Sequence, residues 1–182
     1  MSRERAPGQP PMPAGNASQA ETGGLALRLM NKIGPTEWAA TMMRLFLVPV
    51  DTVLQRRSSG RLSVGRGLGV PSLLLTTSGA RTGQPRQVPL FYVPHREGYA
   101  VVGSNFGLPH HPAWTINLLR HPNCTITTAG QTIPVIARQV EGEEREELWT
   151  KILDLASGYQ TYNERSGRDL RIFHLQPATT RR

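Results

Sequence analysis

Residues 73–93, LLLTTSGARTGQPRQVPLFYV, place two arginines in a short polar stretch between two apolar runs. Gly79 and Gly83 allow sharp turns that leave backbone N–H groups unshielded, and clustered N–H donors of this kind form concave anion sites. Arg81 and Arg86 can each add a charge-assisted, bidentate contact to a phosphate or a carboxylate. The stretch is therefore either a solvated basic turn or the binding site of an anion.

Known catalytic and phosphate-binding motifs do not explain this stretch. It lacks the Gly-Lys-Ser/Thr of a Walker loop, and the segment after it is predicted to be a strand, whereas a dinucleotide fingerprint opens a helix. No nucleophile elbow and no pair of carboxylates occur in the strand region. An enzyme built on these residues would need a cofactor to carry the reaction.

A second stretch with chemical potential is VVGSNFGLPHHPAWTINLLRHPN, residues 101–123. Small polar residues at 103–105 follow a predicted strand, where a ligand could approach the backbone. Trp114 and Asn117 are three positions apart on a predicted helix and share a face. Trp114 is either a core residue or a platform for a cofactor, and Asn117 is either a cap or surface residue or part of a site.

Metal and disulfide chemistry are not favoured. His110 and His111 are adjacent, but a third ligand at helical spacing and a nearby carboxylate are missing, so we predict no metal site. Cys124 is the single cysteine, which rules out an internal disulfide, and it is expected to be a buried, inert thiol.

The chain has 182 residues and a formal net charge of +8. Such a charge suits nucleic acid, an anionic membrane surface or a multiply anionic small molecule. The basic residues are scattered, and no nucleic-acid-binding motif is recognisable, so nucleic acid is not the predicted partner. Residues 1–24 are rich in Pro, Gly, Ala and Gln, which predicts a disordered tail. They lack the apolar core of a secretory signal, so we expect a cytoplasmic protein.

The elements predicted next are helical. Residues 25–33 form a short helix, and a second helix begins after Thr36 and ends at Pro49. Its apolar residues either cover one side of a sheet or lie in a membrane interface, with Arg44, Arg56 and Arg57 at the headgroups. A peripheral membrane contact through residues 38–50, on the inner face of the cell membrane, is thus an open alternative.

The rest of the chain is predicted to be mainly β. Strands are expected at residues 70–77, 87–94, 99–103, 125–128, 132–138 and 170–175, with helices at 113–120 and 143–155. Antiparallel strands packed by a few helices indicate a small barrel in an α+β arrangement. The predicted organisation is a tail (1–24), a helical segment with a Gly-rich link (25–69), a barrel domain (70–177) and a C-terminal tail (178–182).

Taken with VEGEEREELWTKILDLASGYQTYNERSGRDLRIFHLQP, the two quoted stretches resemble the deazaflavin-dependent nitroreductase family in order and spacing. Its members are actinobacterial quinone reductases that use coenzyme F420, and the resemblance covers residues 73–177. It implies a mainly β split β-barrel related to flavin-binding barrels. It also implies hydride transfer from the reduced deazaflavin to an electron-poor acceptor, which is a quinone, a nitroaromatic compound or an enone.

The resemblance also assigns residues to roles. The cofactor phosphate and glutamate tail are placed on Ala80, Arg81, Thr82, Arg86 and Gln87. The ring system is placed along Val88, Pro89, Leu90, Phe91, Val102, Gly103, Ser104, Asn105, Ala113, Trp114, Thr115, Ile116 and Asn117. Tyr159 and Tyr162 match tyrosines on the substrate side, and together with Ser104 they are the expected catalytic residues, which bond the developing oxyanion of the acceptor.

Three positions depart from the family pattern. Ala80 stands where the family commonly has one of two basic residues, Phe91 stands where some members have tyrosine, and Asn105 stands where some members have lysine. Fewer charged contacts to the cofactor are therefore expected. Two alternatives stay open at this point: an FMN enzyme on the same barrel, and a basic protein that binds a membrane or nucleic acid. The oligomeric state is also open.

Overall fold

A computed structural model describes residues 36–67 and 69–178. Its centre is a closed antiparallel barrel with the strand order β1-β2-β3-β6-β5-β4. The strands are β1 (Ser72–Ser78), β2 (Pro85–His95), β3 (Gly98–Val102), β4 (Asn123–Thr128), β5 (Gln131–Gln139) and β6 (Ile172–Pro177). The split β-barrel expected from the sequence is confirmed.

Helices pack around the barrel, and one of them contributes Trp114 and Leu118 to its interior core. They are α1 (Glu37–Met42), α2 (Val48–Arg57), α3 (Val64–Gly67), α4 (Ala113–Arg120), α5 (Gly142–Leu155) and α6 (Gly158–Ser166). A π-helical turn, Met43–Leu47, joins α1 to α2, and a short 3₁₀ turn, Asn105–Gly107, follows β3. Within the described ranges, no helix is long and apolar enough to cross a bilayer.

Alternation along the strands separates two cores. Leu73, Leu75 and Val101 point into the barrel and are fully buried. The intervening residues of β3, Ala100 and Val102, point outward, because successive side chains of a strand alternate between its faces. They pack in a second core with residues of α5 that recur at helical spacing. Since Tyr159 and Tyr162 of α6 pack against this second core, it supports one side of the site described below.

Prolines lie where a strand is paired on one side only. At Pro89 the strand β2 is paired with β1, and its pairing with β3 begins only at Tyr92. Pro134 of β5 is likewise paired with β4, before the pairing with β6 begins at Val135. Because a proline has no N–H to give to a ladder, these positions tolerate it. The expectation that Pro89 occupies an edge is confirmed.

The N-terminal helix differs from the expectation. It does not end at Pro49 but continues as α2 to Arg57. Proline disrupts a regular α-helix because its ring collides with the carbonyl four residues earlier. Here the wider π turn Met43–Leu47 precedes Pro49, which stands within the first turn of α2, where its missing N–H matters least.

One side of this segment covers the barrel and the other is exposed. Ala39 and Ala40 are buried, whereas Trp38, Leu45 and Phe46 are more than half exposed. The covering role is confirmed for α2, which contacts β1 and β2. The membrane interface stays a prediction.

The strands and helices predicted between residues 70 and 177 are all confirmed, and the structure adds a helix that was not predicted. Strand bounds shift by up to two residues, and α4 has the predicted bounds. Helix α6 was missed, because GYQTYNERS carries few apolar residues at helical spacing. The predicted helix at 25–33 and the disordered tail at 1–24 lie outside the described residues, as does most of the predicted C-terminal tail.

Candidate active site

A cavity of about 260 Å³ opens where β2 leaves its pairing with β3. Its walls come from the N-terminal helical segment, the β2 edge, the loop after β3 and helix α6. Ten of the residues predicted for the site line it, and they are Val88, Pro89, Leu90, Phe91, Val102, Ser104, Asn105, Trp114, Tyr159 and Tyr162. The cavity thus brings together eight of the thirteen predicted ring-binding residues and all three predicted catalytic residues.

The edge of β2 gives this cavity backbone groups as well as side chains. The N–H of Tyr92 donates to the carbonyl of Pro71, on the β1 side, at 3.1 Å. Alternate residues of an antiparallel strand direct their backbone groups to opposite sides. The backbone groups of Pro89 and Gln87 therefore point away from β1, toward the edge of β2 that β3 does not cover. A planar polar ring lying along this edge could accept and donate hydrogen bonds there.

The arginine-bearing loop between β1 and β2 is held by Asn117 of α4. The side-chain oxygen of Asn117 accepts the N–H of Ala80 at 2.9 Å, and its amide nitrogen donates to the hydroxyl of Thr77 at 2.9 Å. Within the loop, the N–H of Gly79 donates to the carbonyl of Gln84 at 2.8 Å. Asn117 is buried, so it is neither a surface residue nor a wall of the cavity but the anchor of this loop.

The loop places exposed cations at one end of the cavity. Arg81 and Arg86 are exposed, and Arg120 of α4 approaches the carbonyl of Ala80 with its guanidinium at 3.4 Å. Arg86 precedes Val88 by two residues of β2, or about 7 Å along a strand. A ligand whose ring fills the cavity and whose anionic tail runs toward β1 would therefore meet these arginines.

The predicted residues that do not line the cavity fall into two groups. Ala80, Arg81, Thr82, Arg86 and Gln87 form the loop just described and the start of β2. The others belong to the β3 end and α4, and they are Gly103, Ala113, Thr115, Ile116 and Asn117. Thr115 is buried with its hydroxyl bonded to the carbonyl of Pro112, and Ile116 is half exposed. Their direct contact with a cofactor stays a prediction.

Two tyrosines of α6 line the cavity. The rings of Tyr159 and Tyr162 meet edge to face with centroids 6.1 Å apart. Burial raises the pKa of Tyr159, and the charge of Tyr162 raises it further. Burial raises the pKa of Tyr162 to about 12, although the nearby Arg165 opposes the shift. Both hydroxyls therefore stay protonated near neutral pH and can donate hydrogen bonds.

Arg168, which the sequence did not indicate as a site residue, holds the loop after β3 in place through several hydrogen bonds. Its guanidinium donates to the carbonyls of Gly103, Ser104, Leu108 and His110 at 3.2–3.4 Å. It also donates to Nδ1 of His111 at 2.9 Å. Arginine has no acceptor, so this ring nitrogen of His111 carries a lone pair and is engaged.

Among the described residues, no group of three or more side chains could hold a metal ion.

Two residues of the same loop have strained backbones. Asn105 has φ of 47° and Phe106 has φ of 55°, values that residues with bulky side chains rarely adopt. The carbonyl of Phe106 accepts a hydrogen bond from Arg165 of α6, and its ring contacts Tyr162 at 6.1 Å between centroids. Such strain persists where surrounding contacts over-determine it and is concentrated at functional sites.

Several wall residues were not predicted, and some of them lie far away in sequence. Asp51 of α2 is buried at the cavity, with its two oxygens bonded to the N–H of Val64 at 2.8 Å and to the amide of Gln55 at 2.9 Å. The hydrogen bond from Val64 links α3 to α2 and thereby positions Gly65 against the ring of Phe91. The other unpredicted wall residues are Met43, Arg44, Leu47, Val48, Phe106, Pro112, Ala156 and Gly158. Local sequence gives no signal for the wall residues between 43 and 65, whereas Phe106, Pro112 and Gly158 adjoin predicted residues and were left out of the predicted set.

The arrangement suits a flat, tailed cofactor. Apolar walls and an open strand edge can hold a planar ring system, and the exposed arginines can hold an anionic tail. A split β-barrel with such a slot suits a protein that binds a flavin-like cofactor. The profile of the F420H(2)-dependent quinone reductase family matches residues 48–177. The chain therefore belongs to this family, and it is an F420-dependent reductase with coenzyme F420 as its cofactor.

Individual relatives agree with this assignment. An F420H(2)-dependent quinone reductase of Mycobacterium tuberculosis is 29% identical over 140 residues, which are 75% of this chain and 94% of that protein. The solved structure of an F420-H2 dependent reductase (FDR-A) is 34% identical, with a TM-score of 0.54 over 58% of this chain and 94% of that one. A structure described as a domain-swapped dimer is 32% identical, with a TM-score of 0.55 over 70% and 99% of the two chains. The family assignment decides between F420 and FMN in favour of F420.

Proposed function

We propose that this protein transfers a hydride from reduced F420 to a quinone, and that nitroaromatic compounds and enones are further acceptors. The observation that carries the proposal is the continuity of β2, which leads from the basic loop at Arg86 to the open edge at Pro89. The cofactor tail lies on the loop, with Arg81 and Arg86 as its charged contacts. The ring lies along the β2 edge, against Trp114 and the residues after β3.

When bound, the reduced deazaflavin supplies two electrons and one hydrogen as a hydride. The chain itself binds and orients the two reactants, and its apolar walls exclude water. A quinone that accepts a hydride also needs a proton to become a hydroquinone, and this proton comes from solvent. The hydroxyls of Ser104, Tyr159 and Tyr162 donate hydrogen bonds to the developing oxyanion, for which groups that stay protonated are suited.

The proposed function is tested first by binding. The intact protein is titrated with oxidised F420 and with FMN by tryptophan fluorescence, because Trp114 lines the cavity. We expect micromolar binding of F420 and none of FMN. Arg86→Ala should raise the Kd for F420 at least tenfold, since a charged contact to an anion is lost.

The matched control for this variant is Arg57→Ala. Arg57 is exposed at the end of α2 and does not line the cavity. Both variants replace an arginine by alanine, so they lower the net charge by the same amount. Equal Kd values in the two variants would remove Arg86 from the site.

Oxidation of reduced F420 by a naphthoquinone then tests the reaction, and its absence in a protein that binds F420 would overturn the proposed acceptor class.

A further inference from the structure

Arg168 connects two walls of the cavity. It follows the end of α6 by two residues, and α6 carries Tyr159 and Tyr162. Its guanidinium bonds to another wall, the loop after β3, through backbone carbonyls of residues 103–110. One side chain therefore sets the position of this loop relative to the helix that carries the two tyrosines.

The hydrogen bonds of Arg168 hold both ends of this loop. At the start of the loop, the guanidinium donates to the carbonyl of Gly103 at 3.3 and 3.4 Å and to that of Ser104 at 3.2 Å. At the end of the loop, it donates to the carbonyl of His110 at 3.2 Å and to Nδ1 of His111 at 2.9 Å. The planar guanidinium can span both ends because its five N–H donors lie in a fixed fork.

The residues between these ends include the strained positions Asn105 and Phe106, whose φ angles are 47° and 55°. A strained backbone persists only where the surrounding structure holds it in place. Both residues line the cavity, together with Ser104. The bonds of Arg168 therefore maintain the part of the cavity wall that carries the predicted catalytic hydroxyl of Ser104.

The bond to His111 is the shortest of these bonds, and its acceptor can be protonated. Arginine can only donate, so the bond requires Nδ1 of His111 without a proton. Protonation replaces the acceptor by a second donor and places two positive charges next to each other. The bond is therefore made by the neutral ring of His111 and lost when the ring is charged.

Arg168 and Arg171 are the charged groups that act on the ring of His111. Burial lowers the pKa of His111 below its usual 6.5, and the charges of these two arginines lower it further. The ring is therefore neutral at pH 7 and above, and it takes up its second proton only as the pH falls below 6.5. The bond to Arg168 is present at neutral pH and is lost in mild acid.

We propose that Arg168 and His111 form a pH-sensitive latch for acceptor reduction, in which neutral His111 keeps Arg168 on the loop after β3 and protonated His111 releases it. Release displaces Ser104 and lowers the rate at which the acceptor is reduced. Arg168 and His111 are positioning residues, because neither lines the cavity and both act through Ser104. This inference rests on the proposed function, in which the hydroxyl of Ser104 bonds the acceptor.

The test follows the reduction of a naphthoquinone by the unchanged protein and by His111→Asn at pH values from 5 to 8. Asparagine places an acceptor oxygen near the position of Nδ1 and does not titrate, so it keeps the bond to Arg168 at every pH. The measured quantity is kcat/KM for the quinone at saturating reduced F420, given as the ratio of the variant to the unchanged protein. Titration of the cofactor and of other side chains is common to both proteins and cancels in this ratio.

We expect this ratio to be constant between pH 7 and pH 8 and to rise about threefold or more by pH 5, since only the unchanged protein loses a charge-assisted bond. The matched control is His121→Asn, because His121 is exposed after α4 and does not line the cavity. Its ratio to the unchanged protein should stay constant throughout. A constant ratio in His111→Asn as well would overturn the latch.

Arg168→Gln separates the latch from a direct effect of the His111 charge on the acceptor. Without the guanidinium, protonation of His111 breaks no bond to residue 168. Adding His111→Asn to Arg168→Gln should therefore leave the pH profile of Arg168→Gln unchanged, as a double-mutant cycle requires of coupled residues. A rise toward acid pH that persists in this background would overturn the role of Arg168.

A second measurement needs neither turnover nor a folded Arg168 variant. NMR titration of the histidine rings, with the signal of His111 assigned by its loss in His111→Asn, should give this ring a pKa below 6.5 in the unchanged protein. The midpoint of the rise in the kinetic ratio should coincide with this pKa, and a midpoint elsewhere would overturn the latch.

The inference and the proposed function fail in different ways. A constant ratio in a protein that reduces the quinone would overturn the latch and leave the proposed function intact. Absence of quinone reduction at every pH, in a protein that binds F420, would overturn the proposed function and this inference with it.

Discussion

Asn117 shows how one buried side chain can position the loop that carries the arginines. Its amide oxygen accepts a hydrogen bond from the N–H of Ala80, and its amide nitrogen donates one to the hydroxyl of Thr77. These partners lie 37 and 40 residues away in sequence. The Asn117 side chain is buried, so water does not replace a lost partner. The sequence identified Asn117 as a candidate but gave no sign of this role, because the partners meet only in the folded chain.

Asn117→Ala should lower both stability and cofactor affinity. Leaving buried hydrogen-bonding groups without partners costs about 1–3 kcal/mol, so we expect the free energy of unfolding to fall by about that amount. The loop with Arg81 loses its anchor, so the Kd for F420 should rise several-fold. Urea denaturation and fluorescence titration measure the two effects.

The control for this variant is Asn123→Ala, at an exposed position where β4 begins. It should change neither quantity appreciably. If Asn117→Ala is destabilised but binds F420 as tightly as the unchanged protein, the loop does not contact the cofactor.

At the scale of elements, sequence patterns predicted the parts with strong local signals. The predicted bounds of α4 match the structure because Pro112 fixes its start, and strands with alternating apolar residues were found within two residues. The prediction that the helix ends at Pro49 was wrong, because the π turn before this proline allows the helix to continue. The wall formed by α2 and α3 could not be predicted, since its placement depends on the bonds of Asp51 to Val64 and Gln55.

Gly65 in α3 tests that wall. A Cβ atom there would lie 2.6 Å from the ring of Phe91 and 3.2 Å from Cβ of Ser72. Ser72 is buried in β1, so the ring of Phe91 must move. We expect Gly65→Ala to lower the free energy of unfolding by about 1–3 kcal/mol, as overpacking does, and to raise the Kd for F420.

The same short helix offers a control, Gly67→Ala, because a Cβ at Gly67 meets nothing within 4 Å. The double variant Gly65→Ala with Phe91→Leu should recover part of the lost stability, since the smaller side chain makes room. If the second substitution adds to the loss instead, the clash with Phe91 is not the cause.

At the scale of the whole molecule, a buried pair of histidines links the barrel to α5. The rings of His95 and His174 lie edge to face at 5.1 Å between centroids, and Nε2 of His95 bonds to Glu144 at 3.0 Å. Arg138 also donates to Glu144, at 2.8 and 2.9 Å. Burial raises the pKa of Glu144, but the bonds from His95 and Arg138 and the charges of Arg138 and Arg96 outweigh it, so the pKa is lowered overall.

His174 makes the stability of the fold depend on pH. Burial lowers its pKa below the usual 6.5, and the charges of His95 and Arg138 lower it further, against the opposing effects of Glu144 and a backbone hydrogen bond to His95. The unfolded chain therefore binds a proton at this residue more readily than the folded chain. By linkage, the free energy of unfolding falls as the pH falls below about 6.5.

Urea denaturation at pH 7.5, 6.5 and 5.5 measures this dependence in the unchanged protein and in His174→Gln. The variant also loses the ring contact with His95, so the informative quantity is the slope of stability with pH, not its absolute value. We expect a smaller loss of stability between pH 6.5 and 5.5 in His174→Gln. His121→Gln, at an exposed position after α4, should keep the slope of the unchanged protein. Glu144 has a lowered pKa, so it stays ionised throughout this range and does not contribute to the slope. Equal slopes in all three proteins would show that His174 does not carry the pH dependence of stability.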